Sequence, residues 1–389
     1  MCIARAAEYG CRFRLLEHEL RSLEHEHERQ LPPMQMNKCN ADHASQGKKS
    51  RIPNEGVSNE SESDFLKQRL MKRLSNLYEK IYNIENLNLA DERARKRKAH
   101  QYGVQQHDKN RKKNIHALHV MLKAKTYFTS PYTTFIIHEP KERLIFRLPY
   151  FPDRIIHHAV MNVLEPIFTS MFTADTYSCI KGRGIHGAAY AVRDALKDVD
   201  GTQYCLKLDI RKFYPSIDHE ILKALLRRKF KDADLLWLLD EIIDSAEGVP
   251  IGNYLSQYFA NFYLTPFDHW LKEIKRVKYY FRYADDIVIL HSDKDALHQL
   301  LNDIKNYLQS QLRLTVKNNY QVLPVTARGI DFVGYVFYHT HTRLRKSIKQ
   351  NFARMIARNK NAASIASYNG WAAHADTNHL LKKLLNQTV

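Results

Sequence analysis

The sequence predicts an α+β fold built around a small sheet, and three observations support this prediction. Short apolar strand patterns alternate along the chain with helical patterns, in which apolar residues recur every three or four positions. Hydrophobic residues make up 44% of the 389 positions, which is ordinary for a protein that buries a core. No apolar run reaches the roughly 18 residues that a membrane-spanning helix needs. Fully disordered and membrane-embedded classes are therefore excluded.

Charge is the strongest compositional signal. Lysine and arginine number 60 against 42 aspartate and glutamate residues, so the net charge is +18. Such a basic protein favours a polyanionic partner, above all nucleic acid, with a solvated basic surface as the alternative. The five cysteines form no CxxC pair and no zinc-like spacing, which predicts free thiols in a reducing cytoplasm.

Changes in composition and in the pattern of apolar residues divide the chain into four predicted regions. Residues 1–66 are polar and poor in aromatic residues, so they are predicted to be a flexible tail or an upstream extension. Basic helices occupy 67–200, and 201–328 holds the main strands with a helical insertion at about 219–248. A hairpin followed by basic helices makes up 329–389.

Local patterns place the elements of the first half of the chain. Residues 133–149 predict a hairpin, and apolar residues at helical spacing predict a helix within 65–89. The clearest helix follows Asp153, a residue type that favours N-caps, and its apolar stripe over 155–171 is predicted to face the core. A basic block over 93–113 is predicted to contact phosphates, with an accessory protein or a solvated helix face as alternatives.

Two adjacent carboxylates stand between the arms of a very apolar hairpin, residues 279–290. Phe281 and Tyr283 precede Asp285 and Asp286, and four aliphatic residues follow them. A surface turn would usually carry glycine or asparagine and more polar flanks. Burial of both arms brings two like charges to the edge of a core, which is costly unless a cation holds them.

A third acid ends another apolar strand. Alternation along that strand puts Leu206 and Leu208 on one face and Asp209 on the other. Three carboxylates at neighbouring strand ends are able to hold two divalent ions about 4 Å apart, and hard oxygen ligands suit magnesium that also binds phosphate. Such ions support in-line nucleotidyl transfer with little covalent help from the protein. A purely structural ion-pair role for the acids is the alternative.

Two motifs resemble those of a known enzyme family. Tyr283-Ala284-Asp285-Asp286 has the form of the reverse transcriptase signature box, and the stretch from Leu208 to Tyr214 looks like the family's first palm motif. A glycine motif lies between them, as the family requires. The resemblance covers about residues 71–385. It implies a right-hand polymerase fold with fingers, a palm of antiparallel sheet backed by helices, and a helical thumb.

The intervening glycine motif suggests a subtype. Ile251-Gly252 followed by Ser256-Gln257 resembles the reverse transcriptases of diversity-generating retroelements, which copy a template RNA into cDNA with errors opposite adenine. A group II intron-like or defence-associated reverse transcriptase is the nearest alternative and would have glutamine in place of Ile251. The non-enzyme alternative is an RNA-binding protein with an inactive polymerase fold.

The resemblance also implies roles for individual residues. The catalytic acids would be Asp209, Asp285 and Asp286, and together with Ile210 they would form the site for two magnesium ions, with manganese as the alternative metal. Tyr214 would be the steric gate against a ribose 2′-hydroxyl, or simply a core aromatic. The implied nucleotide-binding residues are Phe213, Tyr214, Lys141, Arg143, Ile251, Gly252 and Gln257. The implied nucleic-acid-binding residues are Lys181, Arg183, Arg343, Arg345, Lys346 and Lys349.

The same resemblance implies the partners of the protein. They are a template RNA, a DNA or RNA primer, deoxynucleoside triphosphates and a small basic accessory protein, with no membrane. A bacterial or phage-encoded protein that acts in the cytoplasm is expected. Lys317 falls near the family's motif-D lysine, although Asn318-Asn319-Tyr320 departs from the common pattern.

Overall fold

A computed structural model describes residues 73–138, 142–359 and 362–386, all of which fall within the unit Lys72–Val389. The predicted tail at 1–66 and the predicted nucleotide ligand Lys141 therefore lie outside the described residues. The predicted region boundaries at 66, 200 and 328 stay predictions.

Helices and one hairpin form the first half of the described chain. The elements are α1 (Tyr78–Tyr82), α2 (Ile84–Arg95), α3 (Tyr102–Asp108), α4 (Arg111–Lys123), β1 (Thr133–Ile137), β2 (Arg143–Arg147), α5 (Ile155–Met171) and α6 (Gly184–Ala195). The predicted hairpin is confirmed as the antiparallel pair of β1 and β2. The helical pattern before residue 89 is broken at Asn83, whose side chain accepts a hydrogen bond from the backbone of Glu85 and so caps a new helix.

The long apolar helix is confirmed as α5, but the role predicted for Asp153 is wrong. Arg154 is the N-cap residue, and no side chain caps the helix. Asp153 is fully buried, and its Oδ1 accepts hydrogen bonds from the Tyr127 hydroxyl at 2.8 Å and from the Ser130 backbone at 3.0 Å. The carboxylate therefore fastens a distant loop to the helix, because buried donors in that loop need an acceptor.

The central sheet consists of four antiparallel strands. They are β3 (Tyr204–Asp209), β4 (Tyr279–Tyr283), β5 (Asp286–His291) and β6 (Gln321–Pro324), in the order β4-β5-β3-β6. Leu206 and Leu208 of β3 are buried on one face, where they join a core with helices α9 (Tyr254–His269) and α10 (Lys294–Leu312). This face follows from the period-two alternation in the sequence.

The remaining elements complete an α+β architecture. The helices α7 (His219–Lys229) and α8 (Ala233–Asp244) follow β3, and a short α11 (Val325–Arg328) follows β6. A second, three-stranded antiparallel sheet comprises β7 (Ile330–Phe332), β8 (Tyr335–Phe337) and β9 (Thr342–Leu344). The chain continues through α12 (Lys346–Asn359), α13 (Ala362–Ala372) and α14 (Asn378–Asn386). Within these described ranges no helix is long and apolar enough to cross a membrane.

A buried histidine on α5 makes the stability of this fold sensitive to acid. His157 is 2% exposed, its Nε2 has no hydrogen-bond partner, and burial lowers its pKa from 6.5 to about 4. The unfolded chain therefore binds this proton first, so stability present above pH 6.5 is lost as the pH falls towards 4. Between pH 7 and 4 the wild type should lose about 3 kcal/mol more than His157→Gln. Urea unfolding across this pH range measures the difference, and parallel curves would contradict it.

Candidate active site

The three predicted acids meet at one end of the central sheet. Asp209 ends β3 and is the direct partner of Asp286 in the antiparallel register, so their Cα atoms are neighbours across the strands. Tyr283 pairs with Asp286, which leaves Ala284 and Asp285 as the two residues of the turn between β4 and β5. Ala284 has a φ of 55°, a left-handed conformation that is costly for a residue with a Cβ.

A buried arginine holds this strained turn, and sequence reasoning missed it. Arg282 and Asp268 are fully buried and form an ion pair, in which Arg282 Nε donates to Asp268 Oδ1 at 2.8 Å. Arg282 Nη1 also donates to the carbonyl of Ala284 at 3.1 Å and to Asn261 Oδ1 at 3.0 Å. A charged residue in the middle of an apolar strand was the available signal, since such residues are buried only when paired.

The charged forms of Asp285, in the turn, and Asp286, at the start of β5, are disfavoured. Burial and then the charge of Asp209 raise the pKa of Asp285 to about 6. Burial also raises the pKa of Asp286 to about 6, although Lys207 and Arg345 oppose the rise. Oxygen Oδ1 of Asp209 and Oδ1 of Asp286 are buried without a hydrogen-bond partner. The sheet end therefore concentrates negative charge that its protein neighbours only partly compensate.

Two lysines face this concentration of charge. Lys317 Nζ lies 2.6 Å from Asp209 Oδ2, and the Lys317 backbone N–H donates to the Asp209 carbonyl at 2.8 Å. Lys207, two residues before Asp209 on the same strand face, places its Nζ 3.8 Å from Asp286 Oδ1. Each lysine is thus close to a different acid, and both side chains remain partly exposed.

The donor chemistry fits a divalent metal, although the acids are not gathered into a finished cluster. Among the described residues no group of three or more His, Cys, Asp or Glu side chains stands close enough together to hold a metal ion. Even so, two buried carboxylate oxygens lack partners, and a hard cation is the group that suits such oxygens. The fully buried Ile210 has a hydrocarbon side chain without a donor atom, so only its main-chain oxygen is able to bind a metal.

The loop bounded by Gly248 and Gly252, between α8 and α9, contacts the predicted steric gate Tyr214. Tyr214 is half-buried, and its carbonyl accepts a hydrogen bond from the Val249 backbone at 2.9 Å. Burial raises the pKa of Tyr214 well above its usual value, and Asp285 and Arg143 are near enough to influence it. Phe213 is 3% exposed and packs edge-on against Tyr214 with ring centroids 5.4 Å apart. Tyr214 therefore lies within electrostatic range of both Asp285 and Arg143.

The same loop docks onto the hairpin strand β2. The Phe146 backbone N–H donates to the Ile251 carbonyl at 2.8 Å, and a Cβ at Gly252 would lie 2.3 Å from the Phe146 carbonyl oxygen. Gly252 also has a φ of 125°, which L side chains rarely adopt. The close approach that glycine permits here is therefore to β2. Gln257 lies on α9 beyond this loop and is half-buried.

Replacing Gly252 by alanine is expected to push β2 away from the loop. The added Cβ meets a backbone atom at an unfavourable φ, and such strain costs about 1–3 kcal/mol. Because Arg143, which the family resemblance predicts to bind the incoming nucleotide, lies on β2, we expect kcat/KM for that nucleotide to fall about tenfold or more. Steady-state nucleotide incorporation measures this. Gly370→Ala is the matched control, since a Cβ there meets nothing within 4 Å, and equal kinetics in both variants would contradict the prediction.

The residues predicted to bind nucleic acid are spread over several elements. Lys181 is exposed, whereas Arg183 is half-buried and donates to the carbonyl of Thr176 at 2.9 Å. Arg343 lies over the ring of Tyr338, with 5.2 Å from its guanidinium carbon to the ring centroid. Lys346 and Lys349 are exposed on the first turns of α12.

Arg345 connects the second sheet to the acids. Its Nε donates to Asp331 Oδ1 at 2.6 Å, and its charge is near enough to lower the pKa of Asp286. Lys207 Nζ donates to the carbonyl of Asp331. Asp331 on β7 is therefore held by a residue of β3 and by a residue that follows β9.

The comparisons with known proteins agree with this geometry. Residues 138–337, more than half of the chain, match the family model described as "Reverse transcriptase (RNA-dependent DNA polymerase)". Protein YkfC from Escherichia coli (strain K12) is 24% identical over 255 residues, which cover 54% of this chain and 65% of YkfC. The group II intron-encoded protein LtrA of Lactococcus lactis subsp. cremoris is 25% identical over 167 residues, which cover 40% of this chain and 27% of LtrA.

Solved structures include a similar chain in telomerase from Candida albicans, determined with a fragment of telomeric RNA. It covers 61% of this chain and 52% of its own length, with 12% identity and a TM-score of 0.45. This chain spans less than two thirds of YkfC and of LtrA. The family match, together with the antiparallel palm-type sheet described above, shows that this chain belongs to the reverse transcriptase (RNA-dependent DNA polymerase) family and has its right-hand polymerase fold.

Proposed function

We propose that this protein is an RNA-directed DNA polymerase that extends a DNA or RNA primer along a template RNA with deoxynucleoside triphosphates. The observation that carries the proposal is the strand register that pairs Asp209 with Asp286 and leaves Asp285 in the adjoining turn. Nucleotidyl transfer needs acids in this arrangement, because the divalent ions that they would hold neutralise the negative charge of the reacting groups.

The acids Asp209, Asp285 and Asp286, with the main-chain oxygen of Ile210, would hold two magnesium ions or their manganese equivalents. When bound, these ions lower the pKa of the primer 3′-hydroxyl and neutralise the charge of the triphosphate. The Arg143 guanidinium binds the triphosphate through its fork of donors. Tyr214 occupies the space of a ribose 2′-hydroxyl and so selects deoxynucleotides. Lys317, which donates to Asp209 Oδ2 at 2.6 Å, would hold a proton near the leaving pyrophosphate.

Primer extension on an RNA template tests this proposal. The wild type should incorporate deoxynucleotides in the presence of magnesium, strongly prefer them to ribonucleotides, and stop when the metal is chelated. The Asp285→Ala variant serves as the inactive comparison. An RNA-binding protein with an inactive polymerase fold would bind the template and extend nothing, with or without metal, and that result would overturn the proposal.

The finer part of the proposal is that the enzyme makes frequent errors opposite template adenine, for targeted gene diversification. Its support is Ile251, whose side chain cannot hydrogen-bond a base pair, at a loop hydrogen-bonded to β2. Replacing Ile251 by glutamine should restore selectivity, with errors opposite adenine falling about tenfold, the factor that corresponds to about 1.4 kcal/mol of discrimination. Sequencing of cDNA made by both proteins measures this, and an unchanged adenine error spectrum would refute it.

A second candidate is a group II intron-like or defence-associated reverse transcriptase. The similarity to LtrA, which is described as a group II intron-encoded protein, favours it. The same cDNA sequencing separates the two candidates, because errors spread evenly over all template bases would favour the second. A small basic accessory protein and a template RNA are proposed as partners in either case, in a bacterial or phage setting.

A further inference from the structure

A cleft of about 400 Å³ opens between α3, α4 and the segment that joins β2 to α5. Its volume falls in the range of sites that bind small organic molecules. None of the residues assigned above to catalysis or nucleotide binding lines it. The cleft is therefore a separate site on the molecule.

The chemistry of the lining suits a nucleotide. Arg147 and Arg154 supply positive charge, and none of the residues that line the cleft is acidic. Tyr102 lies at the cleft and is 76% exposed, so its ring offers a stacking surface. The lining also includes the amide of Gln106, whereas the Asn114 amide nitrogen lies 3.1 Å from His107 Nδ1 and belongs to the floor of the cleft.

The floor of the cleft is built before any ligand arrives. His107 stacks on Phe151 with ring centroids 5.8 Å apart, and its Nε2 lies 3.4 Å from the fully buried Asp91. The Tyr150 hydroxyl donates to the same carboxylate, and Gly103 lets the helix approach Tyr150 so closely that a Cβ would lie 3.0 Å from the Tyr150 Cβ. A fixed floor lowers the entropy that binding must overcome.

The position of the cleft on β2 suits an interaction with the template RNA. Arg147 and Arg143 lie four residues apart on β2, a separation of about 13 Å, and the Arg143 charge is within electrostatic range of Tyr214. An extended strand of a few unpaired nucleotides spans that distance. The approach to α3 is basic, because no acid occurs in the chain between Arg93 and Asp108.

We propose that this cleft binds one unpaired base of the template RNA, a few nucleotides ahead of the base that is being copied. The base stacks on Tyr102, while Arg147 and Arg154 hold the neighbouring phosphate. This inference rests on the proposed function, since it takes the ligand to be the template strand. Nothing in the lining requires a particular base identity, because stacking serves every base.

An abasic scan of the template overhang tests the inference. A DNA primer annealed to an RNA template with an overhang of several nucleotides is bound by the full-length protein in EDTA, and fluorescence anisotropy gives Kd. An abasic nucleotide at one overhang position should weaken binding to the wild type about tenfold. Tyr102→Ala should weaken binding of the intact template by a similar factor and remove the abasic effect, whereas Tyr102→Phe should retain both.

A second exposed aromatic residue, Phe128, provides the control for this experiment. Phe128→Ala also truncates an aromatic side chain, 74% exposed and outside the cleft, and should leave the scan unchanged. Equal tolerance of abasic sites at every position, or an abasic effect that persists in Tyr102→Ala, would overturn the assignment. Because binding is measured without magnesium, a retained abasic effect without primer extension would overturn the proposed function while supporting the cleft.

Discussion

The Asp285→Ala variant is expected to extend primers roughly a thousandfold more slowly than the wild type, since about 4 kcal/mol of lost transition-state stabilisation corresponds to that factor. The folded state should not suffer. Burial and the neighbouring Asp209 make the Asp285 charge unfavourable, as its raised pKa shows, so its removal relieves repulsion. Single-turnover extension should therefore collapse while Tm stays the same or rises.

A matched substitution separates catalysis from general damage. Asp194→Ala removes the same group from the surface, where the carboxylate is 77% exposed and pairs with Lys197. Its extension rate should stay within about twofold of the wild type, because exposed ion pairs contribute little. Equal rates for Asp285→Ala and the wild type would remove Asp285 from the catalytic set, and a loss of Tm in Asp285→Ala would contradict the electrostatic argument.

The Arg282→Met variant is expected to lose about 3–5 kcal/mol of unfolding free energy, because it strands a buried carboxylate. Asp268 is fully buried, and after the substitution the Tyr280 hydroxyl, at 2.6 Å, and the Thr176 hydroxyl, at 3.0 Å, are the neutral donors that remain to it. The turn that presents Asp285 also loses the hydrogen bond to the Ala284 carbonyl. Urea unfolding measures the stability loss. Primer extension by the variant should also be slower than that of the wild type at urea concentrations below the unfolding transition.

Two further variants sharpen this second expectation. Arg313→Met removes an exposed arginine paired with Asp218, and it should cost less than about 1 kcal/mol. The double variant Arg282→Met with Asp268→Leu should recover part of the stability, because neither charge then remains buried. A double variant less stable than Arg282→Met, or an Arg282→Met protein as stable as Arg313→Met, would show that the pair is not what holds this region.

Much of the fold was predictable because its signals are local. The apolar stripe of α5 and the alternation of Leu206, Leu208 and Asp209 each depend on neighbouring residues and on a fixed period. The candidate site was predictable for the same reason, since adjacent acids between apolar arms are anomalous in any fold. The sequence predicted only that the three acids lie at neighbouring strand ends, and the specific pairing of Asp209 with Asp286 is seen in the folded sheet.

The rest depends on contacts between residues far apart in the chain, which no local pattern contains. Asp153 has the residue type of an N-cap, yet its carboxylate accepts hydrogen bonds from Tyr127 and Ser130 instead. The glycine at 252 is explained by the backbone of Phe146, more than a hundred positions earlier. Such partners become visible only once the chain is folded, because hydrogen-bond demand in a buried site outweighs local preference.

The contacts of Lys207 and Arg345 with Asp331 also constrain how this protein is recombined with its relatives. A chimaera that took everything after β6 from another reverse transcriptase would keep position 207 and import new residues at 331 and 345. Unless the three positions were exchanged as a set, the lysine beside Asp286 would lose its anchor. Work that exchanges domains of this protein should therefore exchange residues 207, 331 and 345 together.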